Sequence, residues 1–126
     1  PQVVIKRGQS TKLTVGLTLV QKSFHRNLDT NGLDYWSQEI PIIAIPKGDK
    51  FDPRTDVFSS EGDSGSTVVD RSGRFAGIIT AGGLNDVKYK DGDGLKVQHS
   101  ADLTYIAPGF FVLDQMRDFG IPATIA

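Results

Sequence analysis

Five consecutive residues, Gly62-Asp63-Ser64-Gly65-Ser66, concentrate more reactive chemistry than any other stretch of the chain. A serine hydroxyl that attacks a carbonyl must project from a tight backbone turn. The carbonyl oxygen has to meet backbone N–H groups that hold its developing negative charge. Gly62 fits that demand: without a side chain, its peptide can turn an N–H toward the site, while Ser64 brings both a hydroxyl and its own N–H. Gly65 allows close approach of the next strand, and Ser66 and Thr67 feed into Val68-Val69. Taken alone, the five residues fit an ordinary glycine or Asx turn as well as a nucleophile turn.

The elements that would hold such a turn are short strands. Val3-Val4-Ile5 and the alternating Leu13, Val15, Leu17, Leu19 predict a hairpin with Gly8-Gln9-Ser10 as its turn; the second strand has the period of two expected of a half-buried strand. Gly16 marks a bulge or a close backbone approach there. From Phe24 to Asp34 the chain is polar, with Asp29-Thr30-Asn31-Gly32 a turn. Trp36 to Ile45 is aliphatic, but Pro41 removes a ladder donor, predicting an edge strand, a bulged strand or a strand that begins after it. Pro46 to Asp56 reads as a long loop. Thr67 to Asp70 and Phe75 to Thr80, around Arg71-Ser72-Gly73-Arg74, form the clearest hairpin. Residues 84 to 99 are expected to be an exposed loop, and a last strand covers about 102 to 107. A helix follows over 110–119, ended by Gly120-Ile121-Pro122. The sum is about six strands and one terminal helix in a single domain over 1–126.

Several of these segments together resemble one family. Ala76-Gly77-Ile78-Ile79-Thr80-Ala81-Gly82-Gly83, twelve residues after Ser64, is similar to the strand of trypsin-like serine proteases that pairs with bound peptide. Asp102 to Pro108 with the helix after it resembles their last barrel strand and C-terminal helix, and Val4 to Gly8 with Thr11, Thr14 and Gly16 resembles the first hairpin of their second barrel. The combination is particularly similar to fungal members. The resemblance implies an all-β, six-stranded antiparallel Greek-key barrel of the trypsin-like type with a C-terminal helix. It implies Ser64 as nucleophile, the N–H groups of Gly62 and Ser64 as oxyanion donors, and Asp63 as the carboxylate that orders the turn. In digestive members that carboxylate receives a freed N-terminus, and no such partner is visible in this sequence. Counting back six residues puts Phe58 at the base of the specificity pocket, with Ser59 beside it and Glu61 at the rim. Thr80, Ala81 and Gly82 line a second wall and Thr104 a third. An apolar Phe58 disfavours arginine or lysine and implies a filled or shallow pocket, unless its ring turns into the core.

The chain resembles only the second of the family's two barrels, and the first supplies the histidine and aspartate. Its own histidines are His25 and His99. The family's plan places His25 away from the catalytic face and His99 near the specificity side, where Ser100 or Asp102 would have to orient it. A serine hydroxyl without an adjacent base is a weak nucleophile, so this chain alone is expected to turn over peptides very slowly. Asp34 with Glu39, the cluster Asp49, Asp52 and Asp56, and the segment 88–94 match neither an EF-hand nor a histidine-assisted metal site, and solvated loop charge accounts for each. No metal and no cofactor are expected.

Composition bounds the rest. At 126 residues one compact domain is expected. Surface scaling gives a folded area of roughly 6,600 Å² against about 20,000 Å² unfolded, enough for a real core. Fourteen basic and fifteen acidic residues, a net charge of −1 and no basic stripe argue against nucleic-acid binding. The short apolar runs argue against a membrane span. The lack of cysteine excludes disulfides and fits a cytoplasmic protein, although a secreted domain of this size can also do without them. Pro1 is no initiator residue, so a processed or trimmed chain is expected.

Two functions compete on this reading. One is the C-terminal half of a serine endopeptidase, partnered by an N-terminal barrel from the same precursor or a separate chain and acting on a peptide or protein substrate. The other is a non-catalytic, protease-derived interaction module that self-associates or binds a partner through the exposed barrel face. An esterase is less well matched, because that chemistry uses a strand-to-helix elbow whereas Ser64 leads into a strand.

Overall fold

The computed structural model describes the chain apart from residues 29, 33, 53, 54, 84, 85, 93, 100–102, 122, 125 and 126; for 25–28, 34, 35, 83, 86–91 and 95–99 it describes the backbone only. The described strands are β1 (Val3–Gly8), β2 (Lys12–Thr18), β3 (Ser23–Leu28), β4 (Asp34–Ala44), β5 (Thr67–Asp70), β6 (Phe75–Gly83), β7 (Asp86–Asp91), β8 (Gly94–His99) and β9 (Leu103–Pro108), followed by helix α1 (Gly109–Asp118). Six of them close a barrel. β2 pairs with β1, β1 with β5, β5 with β6, β6 with β9 and β9 with β4, and β4 returns to β2. Each of these pairings is antiparallel. Closure leaves none of the six as a free edge along its paired length, which removes the hazard an open sheet would carry.

β4 runs through Pro41 because it changes partners there. Its first half pairs with β3 and its last residues, Ile42 to Ala44, pair with β2. The Pro41 carbonyl accepts from the Leu19 N–H at 2.9 Å, so the donor that proline lacks faces that same side, at the gap between the two partners. β2 buries the opposite half from its apolar residues. Thr14 and Gly16 point inward while Leu13 and Val15 are exposed. The reason is the crowding at Gly16, where a Cβ would lie 2.7 Å from the Phe58 ring.

The core comprises Val4, Ile42, Ala44, Phe58, Val68, Ile79 and Ile106, with Ile40 and Ala76 packed on it. Lys6, Thr14, Ser59, Asp63 and Thr104 are buried beside it.

Two stretches not expected to be strands are paired. The polar stretch after residue 23 is strand β3, formed because it can hydrogen-bond along the long β4. The expected loop at 84–99 contains the hairpin β7–β8, a two-stranded sheet of its own. The alternation of Val87, Tyr89 and of Leu95, Val97 around glycine-containing turn residues is the signal that its charge obscured. The helix begins one residue earlier than expected. It ends in a Schellman arrangement, with Ile121 N–H donating to Met116 O at 2.8 Å and Gly120 N–H to Arg117 O at 2.9 Å. Of the residues in α1 only Gly109 is buried, while Phe110 and Phe111 stay exposed.

Candidate functional site

Two consecutive tight turns present Ser64. Asp63 N–H donates to Ser60 O at 3.0 Å, closing the first, and Ser66 N–H donates to Asp63 O at 3.0 Å, closing the second. The third residue of each is glycine with positive φ, +97° at Gly62 and +87° at Gly65, as type II turns require. Gly65 N–H then donates to Ile79 O at 2.8 Å and Ile79 N–H to Ser66 O at 3.1 Å, docking the second turn on β6. Ser64 sits at the exposed second position of that turn. Among the described residues no acceptor takes the N–H of Gly62 or Ser64, and the Ser64 hydroxyl has no hydrogen-bond partner. Ser64 thus presents an exposed hydroxyl and an unclaimed N–H, two residues along from the unclaimed N–H of Gly62.

Asp63 lies fully buried beneath the turn. Its Oδ1 accepts from Ser10 N–H at 2.8 Å, and its Oδ2 from Thr11 Oγ1 at 2.6 Å and Ser60 N–H at 3.1 Å. Lys6 Nζ stands 3.5 Å from Oδ2, with both side chains inaccessible. Burial alone would raise the pKa of this carboxyl, but the hydrogen bonds from Thr11, Ser10 and Ser60 win and hold it well below the usual carboxylate range. The sequence showed no partner for Asp63; the structure supplies one from the β1–β2 turn of the same chain. Lys6 joins it from the inward register of β1, two residues after the buried Val4.

Beside Ser64 opens a cleft of about 440 Å³, lined by Ser59, Ser60, Glu61, Gly62, Ser64, Ile79, Ala81 and Gly82. Of the residues assigned to substrate, Ser59, Glu61, Ala81 and Gly82 line it. Phe58 and Thr80 do not. Phe58 is wholly buried in the core, the second of the two placements open to it, and its carbonyl accepts from Thr14 Oγ1 at 2.7 Å. Thr80 is the extra residue where the β6–β9 register shifts, so its hydroxyl turns to the other face and donates to Glu39 Oε1 at 2.6 Å. Thr104 is buried one layer below, its hydroxyl 2.6 Å from that of Ser59. Gly82 keeps this pair reachable, because a Cβ there would come within 3.0 Å of Ser59 Oγ. Beyond Ile79, β6 pairs with β9 on one side, and among the described strands nothing pairs with its other edge.

None of the remaining candidates is among the described residues that line this cleft. His25 pairs with Ser37 across the β3–β4 arm, and His99 ends β8 opposite Asp86. Asp56 caps its own loop through the N–H groups of Lys47 and Asp52. Asp102 and Ser100 lie outside the described residues. Among the described residues no group of three or more His, Cys, Asp or Glu side chains could hold a metal, and no helix is long and apolar enough to cross a membrane. Compared with protein-family models, curated proteins and solved structures, the chain matched none.

Proposed function

We propose that this chain carries the nucleophile and oxyanion half of a trypsin-like serine endopeptidase, completed by a second unit that delivers the imidazole. The observation that carries this reading is the pair of glycine turns that expose Ser64 and leave the N–H groups of Gly62 and Ser64 without internal acceptors, beside a cleft. The closed barrel with its terminal helix, and the order of the resembling segments, support it.

Ser64 Oγ adds to the scissile carbonyl carbon while its proton passes to the delivered imidazole. The carbonyl oxygen becomes an oxyanion facing Gly62 and Ser64 N–H. Collapse breaks the C–N bond, the departing amine takes the imidazole's proton, and water releases the acyl group by the reverse sequence. The edge of β6 beyond Ile79, unpaired among the described strands, can take the substrate backbone as an added strand. The cleft is walled by small residues over a Ser59–Thr104 hydroxyl pair, and among its described lining residues Glu61 alone is charged, so it suits a compact uncharged side chain.

Labelling the native gene product with a fluorophosphonate, followed by intact mass and peptide mapping, tests the proposal. One adduct on Ser64, absent from Ser64→Ala, is expected. A gene product without an imidazole-bearing partner barrel, or one unlabelled at Ser64, would refute it.

The interaction-module reading is favoured by one feature, a groove of about 470 Å³ whose walls include the exposed rings of Trp36, Phe110 and Phe111. On that reading Ser64→Ala leaves partner binding intact, whereas Trp36→Ala with Phe110→Ala abolishes it.

A further inference from the structure

We infer that Lys6 is a positioning residue for the Ser64 turn: its buried ammonium, acting through Asp63, clamps residues 60–66 to the β1–β2 turn of the same chain. This inference rests on the reading of Ser64 as nucleophile and adds how its turn is held.

Every donor of the ammonium has a partner. Lys6 Nζ donates to Thr11 Oγ1, to Lys12 O at 3.1 Å, and toward Asp63 Oδ2 at 3.5 Å. The Thr11 hydroxyl accepts from Lys6 and donates to Asp63, so cation, hydroxyl and carboxylate form one chain. The Lys6 ammonium also lies over the Phe58 ring, 5.7 Å from its centroid. Two further features join the same two turns. Ser10 Oγ donates to Glu61 O at 2.6 Å, and a Cβ at Gly8 would sit 2.2 Å from Asp63 Oδ1.

A carboxylate so far from water needs a compensating charge, and removing one member of a buried pair strands the other. Without Lys6, Asp63 must either take up a proton or move toward solvent. Moving drags its own peptide, which joins Gly62 to Ser64. The orientation of the two oxyanion donors thus depends on a lysine more than fifty residues away, at the other end of Asp63. This clamp belongs to the barrel itself and needs no group from outside it.

Amide hydrogen exchange by NMR tests the clamp without requiring catalysis. In Lys6→Met, the amides of Ser10, Thr11, Ser60, Asp63 and Ser66 should exchange at least about tenfold faster while those of β6 and β9 keep their rates. In the double variant Lys6→Met/Asp63→Asn, which removes both charges, they should return to within about threefold of wild type. Unchanged exchange in Lys6→Met, a uniform acceleration across the barrel, or no rescue in the double variant would overturn the inference. If Lys6→Met does not fold, the wild-type protein decides: these five amides should open as one unit with a shared exchange free energy, and independent opening would overturn the clamp. A standing clamp with Ser64 unreactive would defeat the functional reading alone.

Discussion

Asp63 is the residue on which the site's stability turns. Its carboxylate has traded water for hydrogen bonds from two turns and for Lys6, and this sets a direction with pH. Its folded-state pKa lies below that of the unfolded chain, near 3.9, so its contribution is complete above that value and is lost as pH falls through the folded value. Asp70 adds to the same limb, its carboxylate held low first by the Arg74 N–H, and so does Asp56, held low by the N–H groups of Asp52 and Lys47. Urea midpoints should therefore begin to fall below about pH 4, and Asp63→Asn should flatten that fall while lowering stability at neutral pH. Gly8→Ala pushes a methyl into Asp63 Oδ1, and a loss of about 2 kcal/mol in urea unfolding is expected. An unchanged midpoint would show that the two turns can separate freely.

At the level of elements, the barrel closes through six strands while β3 extends β4 and β7–β8 pairs only with itself in the sheets. Replacing 86–99 by a short Gly/Ser linker should leave the thermal midpoint within a few degrees, since no barrel pairing is removed. Phe58→Ala should cost about 3–5 kcal/mol, because its ring fills the barrel under Gly16 and Ile42. These elements also show where sequence reading succeeds and fails. Hairpins joined by a local turn, β1–β2 and β5–β6, follow from alternation and glycine placement. The strand β3 does not, because its polar residues are ordered by pairing along β4 rather than by an apolar face of their own. The Ser64 turn is legible from Gly62 and Gly65, as both turns need positive φ. Thr80 and Phe58 are not: a one-residue register shift redirects the first, and the demands of the core claim the second. Lys6 hides for a different reason, since a lysine in a strand reads as surface until its inward register is known.

The molecule as a whole exposes 8882 Å², about a third more than the ~6,600 Å² typical of a compact monomer of this mass. Trp36, Phe110, Phe111 and Phe119 contribute to that excess. On the proposed function, sedimentation of the chain with and without a histidine-bearing barrel should show a complex only in the mixture, and two separate boundaries would count against it. The most direct test of a half-site built from Ser64 and two backbone donors is a peptidyl boronic acid titrated into the ¹⁵N-labelled native gene product. A boronate adduct on Ser64 Oγ, with the Gly62 and Ser64 amide resonances moving downfield together and neither change in Ser64→Ala, is the predicted result. Amides that stay in place while the adduct forms, or an adduct on another residue, would contradict it.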